Sequence, residues 1–135
     1  MREYLFRGKR VSNKEWVEGS LLTTAFNSFI IPIYDEFIKY QEPISVDKDT
    51  VGQFIGLTDK NGVKIFEGDM ISAPHFDLLF VGYDKAGASF ACVKNIADLE
   101  VSRCYWFGND ILIKDGWEVI GNIHDNPELI NKITL

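Results

Sequence analysis

Short apolar runs bounded by turn-forming residues recur along most of the chain, a pattern typical of β-strands, and residues 117–122 also alternate between apolar and polar. Pro32 lacks an N–H, so the strand that contains it is expected at a sheet edge or a bulge. Residues 35–50 are expected to form a long loop or an irregular strand, with a helical turn at 47–50. This pattern predicts a hairpin within residues 51–69 and strands at residues 3–7, 16–22, 29–34, 70–73, 78–83, 88–94, 105–107, 111–114 and 117–122. Residues 96–102 fit a short helix or a strand, and periodicity does not decide between them.

Two turns punctuate residues 51–69, VGQFIGLTDKNGVKIFEGD. Asn61-Gly62 lies between two apolar runs and predicts a hairpin with a type I′ turn, in which both central residues have positive φ. Glu67-Gly68-Asp69 predicts a second tight turn, with Gly68 at positive φ and Asp69 bonded to nearby backbone. The paired carboxylates of this turn are therefore interpreted as structural.

A short helix is predicted after Asn126, which can cap it, because Pro127 suits the first helical position and Glu128 complements the helix dipole. The predicted fold is mainly β in a single domain, residues 1–135. A small N-terminal sheet (1–45) is followed by an SH3-like barrel (46–122) and the C-terminal helix. The predicted core comprises Phe6, Trp16, Val17, Phe54, Ile55, Ile65, Met70, Ile71, Phe80, Val81, Phe90, Trp106, Val119 and Ile120.

Charge is distributed unevenly along the chain. The net charge is −6, which argues against a general nucleic-acid coat, whose affinity comes from neutralising phosphates. The first 14 residues carry five cations and one carboxylate, so this segment has a charge of +4 and the remainder −10. This segment is either a solvated basic hairpin or an anchor for an acidic partner or phosphates. The candidate binding residues are Arg7, Lys9, Arg10 and Lys14.

The two cysteines predict packing rather than chemistry. Cys92 and Cys104 are twelve positions apart in apolar surroundings, which is neither a metal-ligand spacing nor a disulfide framework. Charged residues recur from Arg2 to Lys14, where a signal peptide would need an apolar run. No uncharged apolar run approaches the length of a membrane span, so a cytoplasmic location is expected.

Motifs for catalysis, metals and cofactors are absent from the sequence. His75 and His124 stand 49 positions apart and in no ligand spacing. There is no nucleophile elbow, phosphate-binding glycine loop or Ca²⁺ loop. We therefore expect no catalytic, metal or cofactor residues. An enzyme would need a site assembled across strands from His75, His124 and the acidic turns.

Three blocks of sequence resemble one known family. They are FRGKRVSNKEWVEGS (6–20), VDKDTVGQFIGLTDKNGVKIFEGDMI (46–71) and WEVIGNIHDNPEL (117–129). Together they are similar to the YopX family of phage and prophage proteins, whereas residues 76–115 match only loosely. The resemblance implies a small, mainly β protein encoded by a phage or prophage. It implies no activity and no catalytic residues.

Two functions are consistent with the sequence. The first is a non-enzymatic phage accessory protein that binds a host or phage protein, since the acidic body could meet a basic surface. The second is a nucleic-acid-binding module that uses the basic N-terminal segment with Tyr4, Phe6 and Trp16. The alternative for these three aromatic residues is that they face the core. Pairing of the exposed edge of 29–34 would in addition give a homo-oligomer.

Overall fold

The computed structural model describes residues 2–32, 42–73, 76–94, 105–106 and 116–131, and these form a mainly β structure with two antiparallel sheets and one short helix. Most strands lie where the sequence predicted them. The elements are β1 (Phe6–Lys9), β2 (Trp16–Thr23), β3 (Ser28–Pro32), β4 (Ile44–Val46), β5 (Gly52–Thr58), β6 (Lys64–Phe66), β7 (Asp69–Ala73), β8 (Phe76–Asp84), β9 (Ser89–Val93), β10 (Tyr105–Trp106), β11 (Glu118–Asn122) and α1 (Pro127–Asn131). The predicted strand at 111–114 and residues 96–102 lie outside the described residues.

The chain comprises two compact units, Met1–Phe54 and Ile55–Leu135. In the first unit the strands are ordered β4-β3-β2-β1-β5 and neighbours run antiparallel. The end of β1 also reaches β4, through a bridge between Arg10 and Val46. Strand β4 therefore has β3 on one side and the end of β1 on the other.

The core of the first unit lies on one face of this sheet. Val17, Ile30 and Val46 are buried together, and Phe6 and Leu21 pack against them. Side chains alternate between the two faces of a strand. The residues between these positions in β1, β2 and β3 therefore lie on the opposite face.

A 3₁₀ turn at Lys48–Thr50 joins β4 to β5, as the sequence predicted. The Asp47 carboxylate caps it by accepting a hydrogen bond from the Asp49 N–H. The buried Thr50 hydroxyl donates to the Asp47 carbonyl at 2.6 Å and accepts from the Lys9 N–H at 2.8 Å. The turn is thus tied to the end of β1.

In the second unit the strands are ordered β10-β9-β8-β7-β11. Strand β5 continues into this unit, where β6 is its neighbour in the sheet. One core cluster contains Ile65, Ile71, Leu79, Val81 and Cys92, and a second contains Met70, Phe80 and Val93 with Leu129 and Ile130 of α1 against it. The described pairings do not close this sheet, so the SH3-like barrel stays a prediction, as does the single domain.

Strand β3 is not an edge strand, which corrects the expectation from Pro32. It pairs with β2 over its whole length and with β4 through Ser28–Ile30. Pro32 is the last residue of β3 and lies beyond the pairing with β4, so the N–H that it lacks is not needed there. Strand β4 therefore covers only part of the edge that suggested a homo-oligomer, at residues 28–30, and residues 33–34 lie outside the described chain.

The turn at Asn61-Gly62 also differs from the prediction. Gly62 has φ of 81°, but Asn61 is not among the described residues with positive φ. The Asp59 carbonyl accepts from the Gly62 N–H, and the Asp59 N–H donates to the Val63 carbonyl. The loop is therefore longer than the two-residue type I′ turn, and Asp59 belongs to it. The Gly68 turn is confirmed, with φ of 89°.

Two predicted core residues are placed differently by the structure. Trp16 is half-buried on the face of β2 opposite Val17. Ile120 is 42% exposed because it follows Val119, which packs against the core, and successive residues of a strand face opposite sides. The register with β7 also shifts between Val119 and Gly121, which leaves Ile120 unpaired. Trp106 has no described side-chain environment. Within the described ranges, no helix is long and apolar enough to cross a membrane.

Candidate binding face of the N-terminal hairpins

The basic segment places two of its four candidate residues on one surface. Arg7 and Lys9 of β1 pair with Glu18 and Trp16 of β2, so these four side chains share a sheet face. This is the face opposite the core. We call it the outer face and define it as Arg7, Lys9, Trp16, Glu18, Ser20, Leu22, Phe29 and Ile31, the last two paired with Leu22 and Ser20.

Trp16 is the centre of the basic end of this face. The Arg7 guanidinium carbon lies 4.6 Å from its ring centroid, and the Lys9 ammonium lies 5.4 Å from it. Both distances are in the range of cation–π attraction. All three side chains are half-buried. The ring therefore restricts the two cations, which lowers the conformational entropy that a partner would have to remove.

Arg10 and Lys14 are not part of the outer face. Arg10 follows the last residue of β1, and its carbonyl accepts a hydrogen bond from the Lys14 N–H. Its buried Nε has no hydrogen-bond partner within the described part of the chain. Lys14 is exposed in the β1–β2 turn and has φ of 64°. The structure brings Arg7 and Lys9 together on the outer face, with Arg10 and Lys14 at the adjoining turn.

The aromatic residues of the basic segment separate into three environments. Phe6 packs against the core of the first unit, as the core alternative predicted. Tyr4 is 60% exposed, with the Arg2 guanidinium 4.9 Å from its ring centroid. Trp16 lies on the outer face, where the core alternative is wrong.

The opposite end of the outer face is apolar and uncharged. The β2–β3 turn is closed by a hydrogen bond from the Thr24 N–H to the Asn27 carbonyl. Phe26 in this turn is 90% exposed, and Leu22 beside it is 42% exposed. Residues 19–34 contain no charged side chain. We call Leu22, Phe26 and Phe29 the hairpin tip.

The hairpin tip could not be recognised as an exposed surface from the sequence. The available signal was the uncharged run 19–34, interrupted by Thr23, Thr24 and Asn27 where a turn could form. Apolar residues in a strand pattern predict a buried face as readily as an exposed one. Only the pairing of β2 with β3 shows that Leu22 and Phe29 lie opposite the core.

The carboxylate of Asp59, in the second unit, is buried and accepts three hydrogen bonds from backbone N–H groups. One oxygen accepts from the Asn61 and Val63 N–H groups at 2.8 and 2.9 Å, and the other from the Val119 N–H at 2.9 Å. Burial would raise the pKa of Asp59, but these three backbone hydrogen bonds and the charge of Lys60 hold the pKa below its ordinary value. The carboxylate is thus used to join the β5–β6 loop to β11.

The other acidic and histidine candidates are also held in turns. The Asp69 carboxylate is buried and accepts from the Phe66 N–H at 2.8 Å. His124 lies in a turn whose N–H groups bond to the Asn122 side chain. Among the described residues no group of three potential metal ligands occurs. His75 and Cys104 lie outside the described residues, and Cys92 is fully buried.

Comparisons with known proteins agree with this mainly β architecture. Protein EF1440 from Enterococcus faecalis, whose crystal structure is known, is similar to this chain with 29% sequence identity and a TM-score of 0.54. The similarity covers 96% of this chain and 99% of that one. No curated protein matches the chain. The family described as YopX protein matches residues 5–131, nearly the whole length. The chain therefore belongs to the YopX family.

Proposed function

We propose that this chain is a phage- or prophage-encoded accessory protein that acts without catalysis, by binding a host or phage protein. The observation that carries the proposal is the hairpin tip, where Phe26 is 90% exposed. Large aromatic residues are the commonest anchors of protein interfaces. An apolar tip at the end of a hydrogen-bonded hairpin suits insertion into a pocket of another protein.

Several features support a binding role over a reaction. The described carboxylate with a lowered pKa, Asp59, has its oxygens engaged by backbone N–H groups. Membership of the YopX family supports the phage or prophage origin. We also propose that the protein acts in the host cytoplasm. For residues 46–122 we propose an SH3-like barrel, which the consecutive antiparallel pairing of β7, β8 and β9 supports.

A pull-down with matched variants tests the proposal. Tagged wild-type protein, Phe26→Ser and Val63→Ser are incubated with nuclease-treated lysate of infected or lysogenic cells. Val63 is a matched control because it is 47% exposed at a different turn. We expect a protein band that wild type and Val63→Ser retain and Phe26→Ser loses. Absence of any retained protein, or equal retention by Phe26→Ser, contradicts the proposal.

Nucleic-acid binding is the second candidate function, and the grouping of Arg7 and Lys9 with Trp16 favours it. Single strands bind to surfaces that combine cations with aromatic rings. The test is the affinity for an oligothymidine strand at several salt concentrations. Replacement of Arg7, Lys9, Arg10 and Lys14 by Ala should weaken binding and flatten its salt dependence. Unchanged binding removes this candidate.

Self-association is part of the proposal as well, because an exposed apolar tip can also meet a second copy. Light scattering at micromolar concentration is the measurement. A homo-oligomer is expected to give a mass that rises with concentration and falls in Phe26→Ser. The mass of one chain throughout the range would reject it.

A further inference from the structure

The outer face has cations at one end and an apolar tip at the other. Arg7, Lys9 and Trp16 mark the basic end, and Leu22 marks the tip end of the same strand face. Trp16 and Leu22 are six residues apart in β2, which corresponds to about 20 Å along a strand. Both ends belong to the first unit and are joined by hydrogen-bonded strands. Their separation is therefore fixed by the sheet.

We propose that the outer face docks an acidic segment of a partner protein, with carboxylates at Arg7 and Lys9 and an apolar side chain at the hairpin tip. This inference rests on the proposed protein-binding function and specifies the chemistry of the partner. The cations near Trp16 are half-buried and restricted by its ring, so a carboxylate meets donors that are already positioned.

Charge complementarity favours a peptide over a nucleic acid at this face. The cations of this face, Arg7 and Lys9, lie at one end only, with the exposed Glu18 directly opposite Arg7 in the register. Beyond Glu18 the face carries no cation as far as the tip. A polyanion would have nothing to neutralise there, whereas a protein segment can present an apolar side chain to Leu22 and Phe29.

The two ends set the spacing of the partner's own residues. A span of about 20 Å corresponds to about six residues of extended chain. It corresponds to about thirteen residues of α-helix, which rises 1.5 Å per residue. The order of acidic and apolar residues in a bound peptide therefore shows the direction in which the peptide docks. The number of residues between them shows whether the bound peptide is extended or helical.

Selection from a random peptide library tests the inference directly. Randomised peptides of about 16 residues, long enough for either spacing, are selected on the full-length protein. We expect enriched sequences that combine an acidic cluster with an apolar or aromatic residue at one of the two spacings. The same selection on Arg7→Glu/Lys9→Glu should lose the acidic preference. Lack of enrichment, or enriched peptides without acidic residues, overturns the inference.

Affinity measurements on an enriched peptide separate the two ends. We expect Arg7→Gln/Lys9→Gln and Phe26→Ser each to weaken binding about tenfold. Lys48→Glu, which changes an exposed charge in the 3₁₀ turn, and Val63→Ser should leave it unchanged. The thermal unfolding midpoint of each variant shows whether it still folds. If the double variant does not fold, Lys9→Gln alone is measured in its place. Unchanged affinity in folded charge variants overturns the inference.

An oligothymidine strand in the same assay gives the nucleic-acid outcome. If it displaces the peptide and binds more tightly in moderate salt, the face is a nucleic-acid site and the inference is wrong. The proposed function fails differently, when no protein is retained in the nuclease-treated pull-down. If a protein is retained through Phe26 but is unaffected by Arg7→Gln/Lys9→Gln, the function stands and this inference fails.

Discussion

At the scale of single residues, the Asp59 carboxylate stabilises the backbone in a way that no sequence motif indicated. It bonds to three backbone N–H groups, two in its own loop and one in β11. Trp117 reinforces the same junction, because its indole N–H donates to the Thr58 carbonyl at 3.0 Å. A loop and a strand distant in sequence are thus joined through one side chain.

Asp59→Asn is expected to lower the free energy of unfolding by about 1–3 kcal/mol, because the amide nitrogen would face a backbone N–H and leave a buried donor unsatisfied. Urea unfolding at neutral pH measures the effect. Asp49→Asn is the matched control, since Asp49 is exposed in the 3₁₀ turn. Equal stability of Asp59→Asn and wild type would contradict the structural role.

Asp59 also predicts a pH dependence of stability. Its pKa is lower in the folded protein than the ordinary value of 3.8. The stabilisation is therefore fully present above pH 3.8 and is lost as the pH falls through the lower folded pKa. The urea midpoints of wild type and Asp59→Asn should converge below pH 3.8. A difference between the two urea midpoints that stays constant down to about pH 2 would contradict this prediction.

Residue-scale prediction from the sequence was accurate where backbone conformation decides and inaccurate where register decides. Gly68 has the predicted positive φ because its turn needs it. Ile120 was predicted in the core beside Val119, but Val119 packs inward, Ile120 faces outward, and the register with β7 shifts between Val119 and Gly121. A one-residue slip exchanges the two faces of a strand, and the local pattern does not contain the slip.

At the scale of elements, the β2–β3 hairpin depends on one close approach. A Cβ at Gly19 would lie 2.0 Å from the Ile31 carbonyl oxygen, which is backbone and cannot rotate away. Gly19→Ala should therefore separate the strands and lower the free energy of unfolding by about 1–3 kcal/mol. Ser20→Ala, exposed next to it, is the control. Unfolding curves that coincide for the two variants would contradict this packing.

The end of β11 and the start of α1 are coupled through Asn126. Its side-chain oxygen accepts from the Asn122 N–H at 3.1 Å and lies 2.5 Å from where a Gly121 Cβ would be. Gly121→Ala should displace this side chain, so Gly121→Ala and Asn126→Ala should each destabilise by about 1 kcal/mol. The double variant should be less destabilised than the sum. Strict additivity in urea unfolding would refute the coupling.

Most elements could be predicted because each carries its own local signal. The 3₁₀ turn follows an acidic cap at Asp47, and α1 follows Asn126 and begins at Pro127. The order of strands has no such signal. The sequence predicted an edge or a bulge for the strand with Pro32, but β4 pairs with the first half of β3 and avoids the proline. Pairing partners depend on the whole chain, which periodicity does not report.

At the scale of the whole molecule, the candidate site was predictable in its charge and unpredictable in its geometry. The basic segment was visible in the sequence, since the first 14 residues carry +4 in a chain of −6. Strand pairing then selected Arg7 and Lys9 for the outer face and left Arg10 and Lys14 at the turn. The hairpin tip, with Phe26, was not predicted because exposure cannot be distinguished from burial in an apolar run.

The fold and the proposed function depend on different residues, which predicts that they can be separated by mutation. Ile30 is fully buried in the first unit, so Ile30→Ala should cost about 2–5 kcal/mol in unfolding free energy through lost burial and a cavity. Phe26→Ser should cost less than about 0.5 kcal/mol, because the ring is 90% exposed.

Retention of the partner protein should rank Ile30→Ala and Phe26→Ser in the opposite order, when it is measured at a temperature well below the unfolding midpoints of both variants. Ile30→Ala is expected to retain the partner protein and Phe26→Ser to lose it, because the core supports the hairpin while the tip makes the contact. Leu79→Ala, in the core of the second unit, provides the parallel control for stability without the tip. If both core variants lose the partner while still folded and Phe26→Ser retains it, the binding surface is not the hairpin tip.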